Sequence, residues 1–312
     1  MAVYTSITSN ELNNWIKRFN LEEFINFKGI SSGVTNSNYL INMSDSKYIL
    51  TIFEHNKIDE LPFYVDLMTF LSKQNFLCPV PITNRDGEAL SILKDKPALM
   101  VSFLEGKERT SRDSKCSYLV GEYLAKLHLT AKKFSKINKN PRDLNWMSEM
   151  FLNIQKYLSS EDKKIIELEI HYQKEFNRED LPRGIIHGDL FQDNVLFLDD
   201  NVSGIIDFYY ACNEIFIYDV AIAINDWCID KDGKINKLMF LEFLKGYESV
   251  RTLLSKEYDY LNIALRMAAL RFWLSRLGDF HNAKKGEITS IKDPNHFKNI
   301  LLDRQIMKNH VN

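Results

Sequence analysis

The hydrophobic positions in the first third of the chain follow two periods, one typical of helices and one typical of strands. A capping-box spacing from Thr8 to Glu11 precedes apolar residues at helical intervals and predicts a lead-in helix. Helical spacing also follows Pro62, a residue favoured in the first turn of a helix. The β-prone runs lie at residues 27–30, 38–43, 47–53, 90–93 and 98–103. This part of the chain therefore predicts a small antiparallel sheet with helices beside it.

From about residue 114 the pattern is dominated by helices. Apolar residues at helical spacing predict helices over residues 119–127, 147–158, 159–176, 218–229 and 261–280. A β-rich stretch interrupts them, with runs at 195–198 and 202–206 around a polar turn. Because a hairpin brings its two ends together, we expect Asn194 and Asp207 to lie at the same end.

Composition narrows the class of partner. The 312 residues include 40 basic and 42 acidic side chains, interspersed, for a net charge of −2. Such a balance gives no reason to expect nucleic acid or an anionic membrane surface, and it favours a small-molecule partner. No apolar run approaches the ~20 residues of a membrane span, and the chain does not open with a signal-like segment. We expect a cytoplasmic protein with no obligate protein partner.

The four cysteines are far apart and form no CxxC pair, so the sequence predicts reduced core thiols rather than a zinc site or disulfides.

The strongest chemical signal is His187-Gly-Asp189 with Asn194 five residues later, followed by an apolar run that ends at Asp207. Phosphoryl transfer needs a carboxylate near the attacking hydroxyl and oxygen ligands for the Mg²⁺ that neutralises the phosphates. Asp189 is the candidate base or orienting group, and Asn194 and Asp207 are the candidate metal ligands. The alternative, a tight turn and a hairpin with ordinary surface acids, rarely produces both spacings at once.

A turn rich in Gly, Ser and Asn separates the first two predicted strands. Backbone N–H groups in such a turn can approach phosphate oxygens closely, although a plain hairpin loop uses the same residue types. The candidate phosphate-covering residues are Ser32, Gly33, Thr35 and Asn36.

These motifs resemble the catalytic core of the aminoglycoside phosphotransferase and choline kinase family, relatives of the protein kinases with His-Gly-Asp in place of His-Arg-Asp. The resemblance implies an α+β, protein-kinase-like fold of two lobes. Residues 1–103 would form the small antiparallel N-lobe that covers the nucleotide, and residues 104–312 the mainly helical C-lobe. It also implies ATP and Mg²⁺, a loop-bracing role for His187, and a hinge near adenine that includes Val101 and Phe103.

One position departs from the family pattern, because Thr51 stands where a strand cation is expected to hold the nucleotide phosphates. Either Mg²⁺ and backbone amides hold the phosphates without it, or another cation such as Lys47, Lys57 or Arg85 reaches them. The missing cation keeps a nucleotide-binding pseudokinase as an alternative.

Charged residues also interrupt two apolar helical patterns. Asp219 and Asp226 lie seven residues apart, nearly on one face of the predicted helix 218–229. Buried carboxylates need a cation or several donors. By resemblance, Asp219 would brace the catalytic loop and Asp226 would lie near the acceptor substrate.

The predicted helix 261–280 carries three arginines at five-residue spacing, which places them on different faces: Arg266, Arg271 and Arg276. Of these, Arg276 projects most clearly with the apolar residues. A protein carboxylate or a substrate carboxylate could serve as its anion.

These two charged helices and the lead-in helix further resemble those of the bacterial homoserine kinases in this family. L-Homoserine is a zwitterion with a terminal hydroxyl, so its site should offer an anion for the ammonium and a cation for the carboxylate. The resemblance assigns these roles to Asp226 and to Arg271 or Arg276. A kinase of another small alcohol remains an alternative, since Trp227 and Trp273 could surround a quaternary ammonium such as choline. Methylthioribose and aminoglycosides are further candidate acceptors.

Overall fold

The computed structural model describes residues 4–30, 35–109, 111–282 and 292–307. Two compact units divide the chain. The first comprises the described residues up to Glu105, and the second the described residues from Gly106 onward.

The first unit is built on a five-stranded antiparallel sheet with the strand order β1-β2-β3-β5-β4. The Thr8 side chain accepts from the N–H of Glu11, and the Glu11 side chain caps the N–H of Thr8 in return, as the spacing predicts. Pro62 lies in the first turn of its helix, also as predicted. The elements are α1 (Ser9–Ile16), β1 (Phe24–Gly29), β2 (Ser37–Met43), β3 (Lys47–Ile52), α2 (Pro62–Lys73), β4 (Leu90–Leu93) and β5 (Lys96–Ser102).

The core of the first unit lies between α1 and one face of this sheet. Alternate residues of β2, namely Tyr39, Ile41 and Met43, are buried there, as the two-residue period of a strand requires. Trp15 of α1 packs in the same cluster, and its indole N–H donates to Ser91 Oγ at 3.1 Å. The polar end of this buried side chain is therefore satisfied.

The second unit is mainly helical and carries two small sheets, β6-β8-β9 and β7-β10. Its long helix α8 is apolar on nearly every side, as the sequence indicates. The helices are α3 (Ser114–Thr130), α4 (Leu144–Ile154), α5 (Ser160–Lys174), α6 (Phe216–Trp227), α7 (Lys237–Glu248), α8 (Ser255–Asn282) and α9 (Asn295–Ile306). The strands are β6 (Lys107–Glu108), β7 (Arg183–Ile186), β8 (Val195–Leu198), β9 (Asn201–Ile205) and β10 (Cys212–Ile215).

The predicted α+β class is confirmed, and so are the buried free thiols of Cys78, Cys116, Cys212 and Cys228. The hydrophobic pattern did not predict α7, α9 or the short strands β6, β7 and β10. In the described ranges, no helix is long and apolar enough to cross a membrane.

Candidate active site

The loop after β7 is held by strand pairing on one side and by a glycine on the other. β7 pairs antiparallel with β10, and its residues Ile185 and Ile186 are buried. Gly188 adopts a left-handed backbone with φ of +77°, and a Cβ there would lie 2.7 Å from the carbonyl oxygen of Tyr210. Only glycine combines this conformation with so close a backbone approach. The backbone of the loop that carries His187 and Asp189 is therefore held in one conformation.

The carboxylate of Asp219 anchors this loop from α6. It accepts hydrogen bonds from the N–H of His187 at 2.7 Å and the N–H of Gly188 at 2.9 Å. Its Oδ2 also lies 3.0 Å from Nε2 of His128, which is fully buried on α3. Burial alone would raise the pKa of Asp219, but these hydrogen bonds and the histidine hold it below its ordinary value.

His187 joins the loop to the β8–β9 hairpin. Its Nε2 lies 2.9 Å from the carbonyl oxygen of Ile206, and its Nδ1 accepts from the N–H of Asp189 at 3.2 Å. Because a carbonyl can only accept, Nε2 carries the proton and Nδ1 does not. Burial lowers the pKa of His187, which favours this neutral form.

The backbone of the same residue, Ile206, also connects Asn194 and Asp207 to the loop. The N–H of Ile206 donates to the carbonyl of Asn194 at 3.0 Å, and Val195 pairs with Ile205 at the start of the hairpin. The Asn194 amide N–H donates to the carbonyl of Asp189 at 2.8 Å, which leaves its carboxamide oxygen available to a cation. The hairpin thus brings the predicted residues Asp189, Asn194 and Asp207 together.

Negative charge accumulates in this region. Burial raises the pKa of Asp189 to about 6, against the opposing effect of the Arg271 guanidinium. Desolvation together with the carboxylates of Asp189 and Asp193 raises the pKa of Asp207 to about 7, although part of the Asp207 side chain is open to solvent. Each carboxylate is therefore harder to ionise beside the others, and a divalent cation would relieve this repulsion.

The donor set fits Mg²⁺ rather than a metal held by protein alone. Within the described parts of the chain, no group of three or more His, Cys, Asp or Glu side chains is placed to hold a metal. Asn194 and Asp207 supply two oxygens, and Mg²⁺ commonly completes its shell with substrate phosphates and water.

The arginines of α8 have distinct surroundings. Arg266 forms an ion pair with buried Glu169, with Nη2 and Oε2 2.7 Å apart. Arg271 is buried and donates to the carbonyl of Gly188 in the catalytic loop. Arg276 is half-buried and donates to the carbonyl of Asp293 at 3.1 Å.

The expectation that Arg276 lies most clearly on the apolar side is wrong, since Arg271 is the most buried of the three, with 3% of its surface exposed. Because α8 is covered almost all round, a single apolar face does not exist to rank them.

Asp226 contacts the loop that follows β7 at its far end from His187, through Gln192. Its Oδ2 accepts from the backbone N–H of Gln192 at 2.8 Å and from the Gln192 side chain at 3.3 Å. Burial raises its pKa, although the backbone hydrogen bond to Gln192 opposes the shift. Asp226 is thus half-buried, next to the loop, and oriented by one of its two oxygens.

Several contacts around the loop were not predictable from the sequence. Lys292 Nζ lies 3.1 Å from Asp193 Oδ2, the Arg112 guanidinium donates to the carbonyl of Asp226, and the Tyr247 hydroxyl lies 2.7 Å from His128 Nδ1. These partners are 99, 114 and 119 positions apart in the chain, so no local spacing could have indicated them.

The predicted nucleotide-binding residues belong to the first unit. Ser32 and Gly33 lie outside the described residues. Thr35 is exposed, and the side chain of Asn36 accepts from the N–H of Glu54 at 3.3 Å. Val101 is buried in β5 and Phe103 follows that strand.

Thr51 is buried in β3, and its hydroxyl donates to Asn38 Oδ1 at 2.8 Å. A nearby lysine of β5, Lys96, already forms an ion pair with Glu54. Two of the cations considered in place of a strand cation, Lys57 and Arg85, are exposed, and Lys47 lies 3.9 Å from Glu105.

Known proteins resemble this chain in sequence and in fold. The model of the phosphotransferase enzyme family matches residues 26–253. A homoserine kinase of Neisseria meningitidis serogroup B is 42% identical over 97% of the chain and 99% of that protein. A homoserine kinase of Methylobacillus flagellatus is 38% identical over 96% of the chain and 94% of that protein.

Among solved structures, an amicoumacin kinase in complex with AMP-PNP and Ca²⁺ has a TM-score of 0.73 at 15% identity, covering 96% of this chain and 92% of that one. A choline kinase of Cryptosporidium parvum has a TM-score of 0.66 at 17% identity, covering 96% of each chain. These likenesses confirm the predicted kinase-like fold.

Proposed function

The chain belongs to the phosphotransferase enzyme family, and we propose that it uses ATP to phosphorylate the side-chain hydroxyl of L-homoserine, giving O-phospho-L-homoserine. One structural observation supports the reaction type: the backbone of Ile206, next to Asp207, bonds to both His187 and Asn194, as expected if Asp189, Asn194 and Asp207 act at one site. Full-length identity of 42% and 38% to two homoserine kinases supports the acceptor.

Asp189 would act on the acceptor hydroxyl. Its carboxylate, with a pKa raised toward neutrality, is suited to accept or orient the hydroxyl proton. The hydroxyl oxygen then forms a bond to the γ-phosphorus, the bond from that phosphorus to the bridging oxygen breaks, and ADP leaves. His187 contributes by holding the N–H of Asp189, so that the carboxylate keeps its position.

Asn194 and Asp207 would hold Mg²⁺ through their side-chain oxygens. When bound, Mg²⁺ supplies positive charge to the phosphates during transfer. The raised pKa of Asp207 accords with this role, because a site built for a cation concentrates negative charge in its absence.

The first unit would bind the nucleotide. Ser32, Gly33, Thr35 and Asn36 are proposed to cover the phosphates with backbone N–H groups, and Val101 and Phe103 to border adenine. Because the Thr51 hydroxyl is already bonded to Asn38, we expect backbone amides and Mg²⁺ to hold the phosphates without a strand cation.

For the acceptor, Asp226 is proposed to bind the ammonium group. Of the two predicted carboxylate partners, Arg276 is favoured, because it is half-buried rather than fully buried and its hydrogen bond goes to a backbone carbonyl, not to a carboxylate. Arg271 remains a candidate, but its bond to Gly188 favours a role beside Asp189, whose charge it stabilises.

The positions of Trp227 and Trp273 argue against a choline-type acceptor. Trp227 and Trp273 are both buried in the core, with 0% and 1% of their surfaces exposed, and the Trp227 indole donates to the carbonyl of Leu190. Neither side chain can surround a quaternary ammonium without unfolding its neighbourhood.

The roles are tested by steady-state kinetics with L-homoserine, ATP and Mg²⁺. We expect Asp189→Ala to lower kcat by a factor on the order of 10³ with little change in the KM for ATP, because only the group acting on the hydroxyl is lost. Asp232→Ala, which removes an exposed acid paired with Lys234, is the matched control. Near-normal turnover in Asp189→Ala would remove Asp189 from the chemistry.

For the metal ligand, we expect Asp207→Ala to raise the Mg²⁺ concentration needed for half-maximal rate by at least about 10-fold. The same titration on Asp232→Ala should match the wild type. An unchanged Mg²⁺ requirement in Asp207→Ala would exclude Asp207 as a ligand.

A further inference from the structure

Two guanidinium groups without carboxylate partners flank Asp226. The Arg112 guanidinium donates to the backbone carbonyl of Asp226, and the Arg276 guanidinium to that of Asp293. In the part of the chain that the structure describes, the arginines with a carboxylate within ion-pair distance are Arg109, Arg251, Arg266 and Arg304. Arg112 and Arg276 therefore keep most of their five N–H donors and their full charge for another anion.

An aromatic layer positions Arg276 beside the catalytic loop. The Arg276 guanidinium carbon lies 4.4 Å from the ring centre of Phe297, and the Phe297 ring lies 6.0 Å from that of Phe191 and 5.1 Å from that of Phe272. Phe191 immediately precedes Gln192, whose N–H donates to Asp226. Stacking on an aromatic face fixes the plane of a guanidinium, which prepares it for a planar carboxylate.

The charges of Arg112 and Arg276 act on the same titratable residues. Burial and the positive charges of Arg276 and Arg112 together lower the pKa of His296, which follows Asn295 at the start of α9. Burial also lowers the pKa of Arg276, while the carboxylate of Asp226 acts on it in the opposite direction. Both guanidiniums thus act on common neighbours, and each lies near the same carboxylate.

Asp226 has an oxygen to offer as well. Its Oδ2 is used by Gln192, whereas Oδ1 has no hydrogen bond to any residue that the structure describes. Two guanidiniums without a carboxylate partner, both acting on one carboxylate with a free oxygen, match the two charges of an α-amino acid.

We propose that Arg112 and Arg276 jointly bind the α-carboxylate of the acceptor, and that this pair makes the enzyme select an amino acid alcohol over a simple amino alcohol. The inference rests on the proposed function and adds to it a residue, Arg112, with no motif in the sequence. Two guanidiniums can hold both oxygens of one carboxylate, whereas an amino alcohol leaves both of them without an anion in a partly buried site. Rejection of the acceptor that lacks the group follows from that uncompensated charge.

The test compares L-homoserine with 3-aminopropan-1-ol, which is homoserine without its carboxylate. Arg112→Gln and Arg276→Gln are each expected to lower kcat/KM for L-homoserine by roughly 10-fold to 100-fold, the loss typical of one charged hydrogen-bonding group. For 3-aminopropan-1-ol, kcat/KM should not fall and should rise, because each variant removes a charge that this acceptor leaves without an anion. The loss on homoserine should lie mainly in KM, and Arg276→Lys should restore part of it.

Arg109→Gln is the matched control, because Arg109 lies three residues before Arg112 and is already paired with Asp200 at 2.8 Å. Equal losses on both acceptors would overturn the proposal and assign the arginines to the fold, as would unchanged kcat/KM for homoserine. If wild-type protein turns over 3-aminopropan-1-ol too slowly, propylamine and L-2-aminobutyrate replace the two acceptors as competitive inhibitors. Only inhibition by the carboxylate-bearing compound should weaken in the variants.

The outcome is separable from that of the proposed function. A wild-type protein that does not phosphorylate L-homoserine contradicts the function itself, whereas an active wild type with insensitive arginine variants contradicts only the paired carboxylate site.

Discussion

At the scale of single residues, the proposed active site holds carboxyl groups in surroundings that disfavour their ionised form. Desolvation raises the pKa of half-buried Asp189 to about 6, and the pKa of Asp207, whose side chain is exposed, is also raised, with the carboxylates of Asp189 and Asp193 contributing. A group whose pKa is raised on folding stabilises the fold while it is protonated, and that contribution disappears as pH rises through the folded-state value. At neutral and higher pH the ionised carboxylates therefore lower the free energy of unfolding, while their charge suits them to bind a cation and a hydroxyl.

Replacing Asp189 by asparagine should remove this loss of stability in metal-free protein. Asparagine has the shape of the protonated acid but never ionises, so the variant should melt about 3 °C above wild type at pH 8. At pH 5 the gain should be about half as large, because the wild-type carboxyl is then mostly protonated in the folded state but ionised in the unfolded state. Thermal melts in EDTA without nucleotide measure it. Asp232→Asn, whose carboxylate has a pKa lowered by Lys234, should show no such gain at pH 8. An equal effect of Asp189→Asn at both pH values would contradict the assigned pKa.

Also at this scale, the sequence predicted that His187, Asp189 and Asn194 lie in one loop with Asp207 nearby, but it ranked the arginines of α8 wrongly. The groups are found because His187, Asp189 and Asn194 follow one another in a short loop. Arg112 and the partner of Arg266 could not be found in the same way, because Arg112 meets Asp226 and Glu169 meets Arg266 only through folding.

At the scale of elements, the second unit is assembled by contacts that fix helices to the loop. α6 supplies Asp219, α3 supplies His128, and α7 supplies the Tyr247 hydroxyl that meets His128. Arg251 continues this network from Tyr247 to Glu257 at the start of α8, with Nη2 2.9 Å from Oε1. Three helices thus determine where the N–H groups of His187 and Gly188 are held.

The contact between α3 and α7 depends on glycine. A Cβ at Gly246 would lie 1.9 Å from the carbonyl oxygen of Tyr118, and one at Gly121 would lie 2.2 Å from that of Phe243. Each helix therefore approaches the backbone of the other directly, without side chains between them.

We expect Gly246→Ala to destabilise the protein by about 2 kcal/mol, because the helices must separate against their packed neighbours. Gly278→Ala is the control: it makes the same change within α8 but meets the Met150 sulfur at 3.1 Å, the movable end of a side chain. Denaturant unfolding of both variants measures the difference. Similar stabilities would show that the α3–α7 approach has room to adjust.

Sequence patterns predicted elements well where periodicity was long and failed where an element exists through pairing. β2, β3 and α2 follow their patterns closely. β6 has two residues and β10 has four, and each is a strand only because β8 or β7 lies beside it. By contrast, α9 carries Phe297, Ile300, Leu301 and Arg304 at helical spacing on its buried side. Its signal was present and could have been used.

At the scale of the whole molecule, the residues with proposed roles divide between the two units. The described second unit contains Asp189, Asn194, Asp207 and the charged residues around Asp226, so the chemistry and the acceptor site are proposed to lie within it. The first unit contains the sheet and the residues proposed to bind nucleotide. A nearly neutral net charge of −2 agrees with small substrates as partners.

The identity of the acceptor is tested most simply by identifying the product that wild-type protein forms. L-Homoserine, choline, methylthioribose and an aminoglycoside would each be incubated with ATP and Mg²⁺, with ADP release measured and the product identified by phosphorus NMR. We predict ADP release with L-homoserine far above the others and a phosphomonoester on its side-chain hydroxyl. Turnover only with another alcohol, or ATP binding without turnover of any acceptor, would contradict the account.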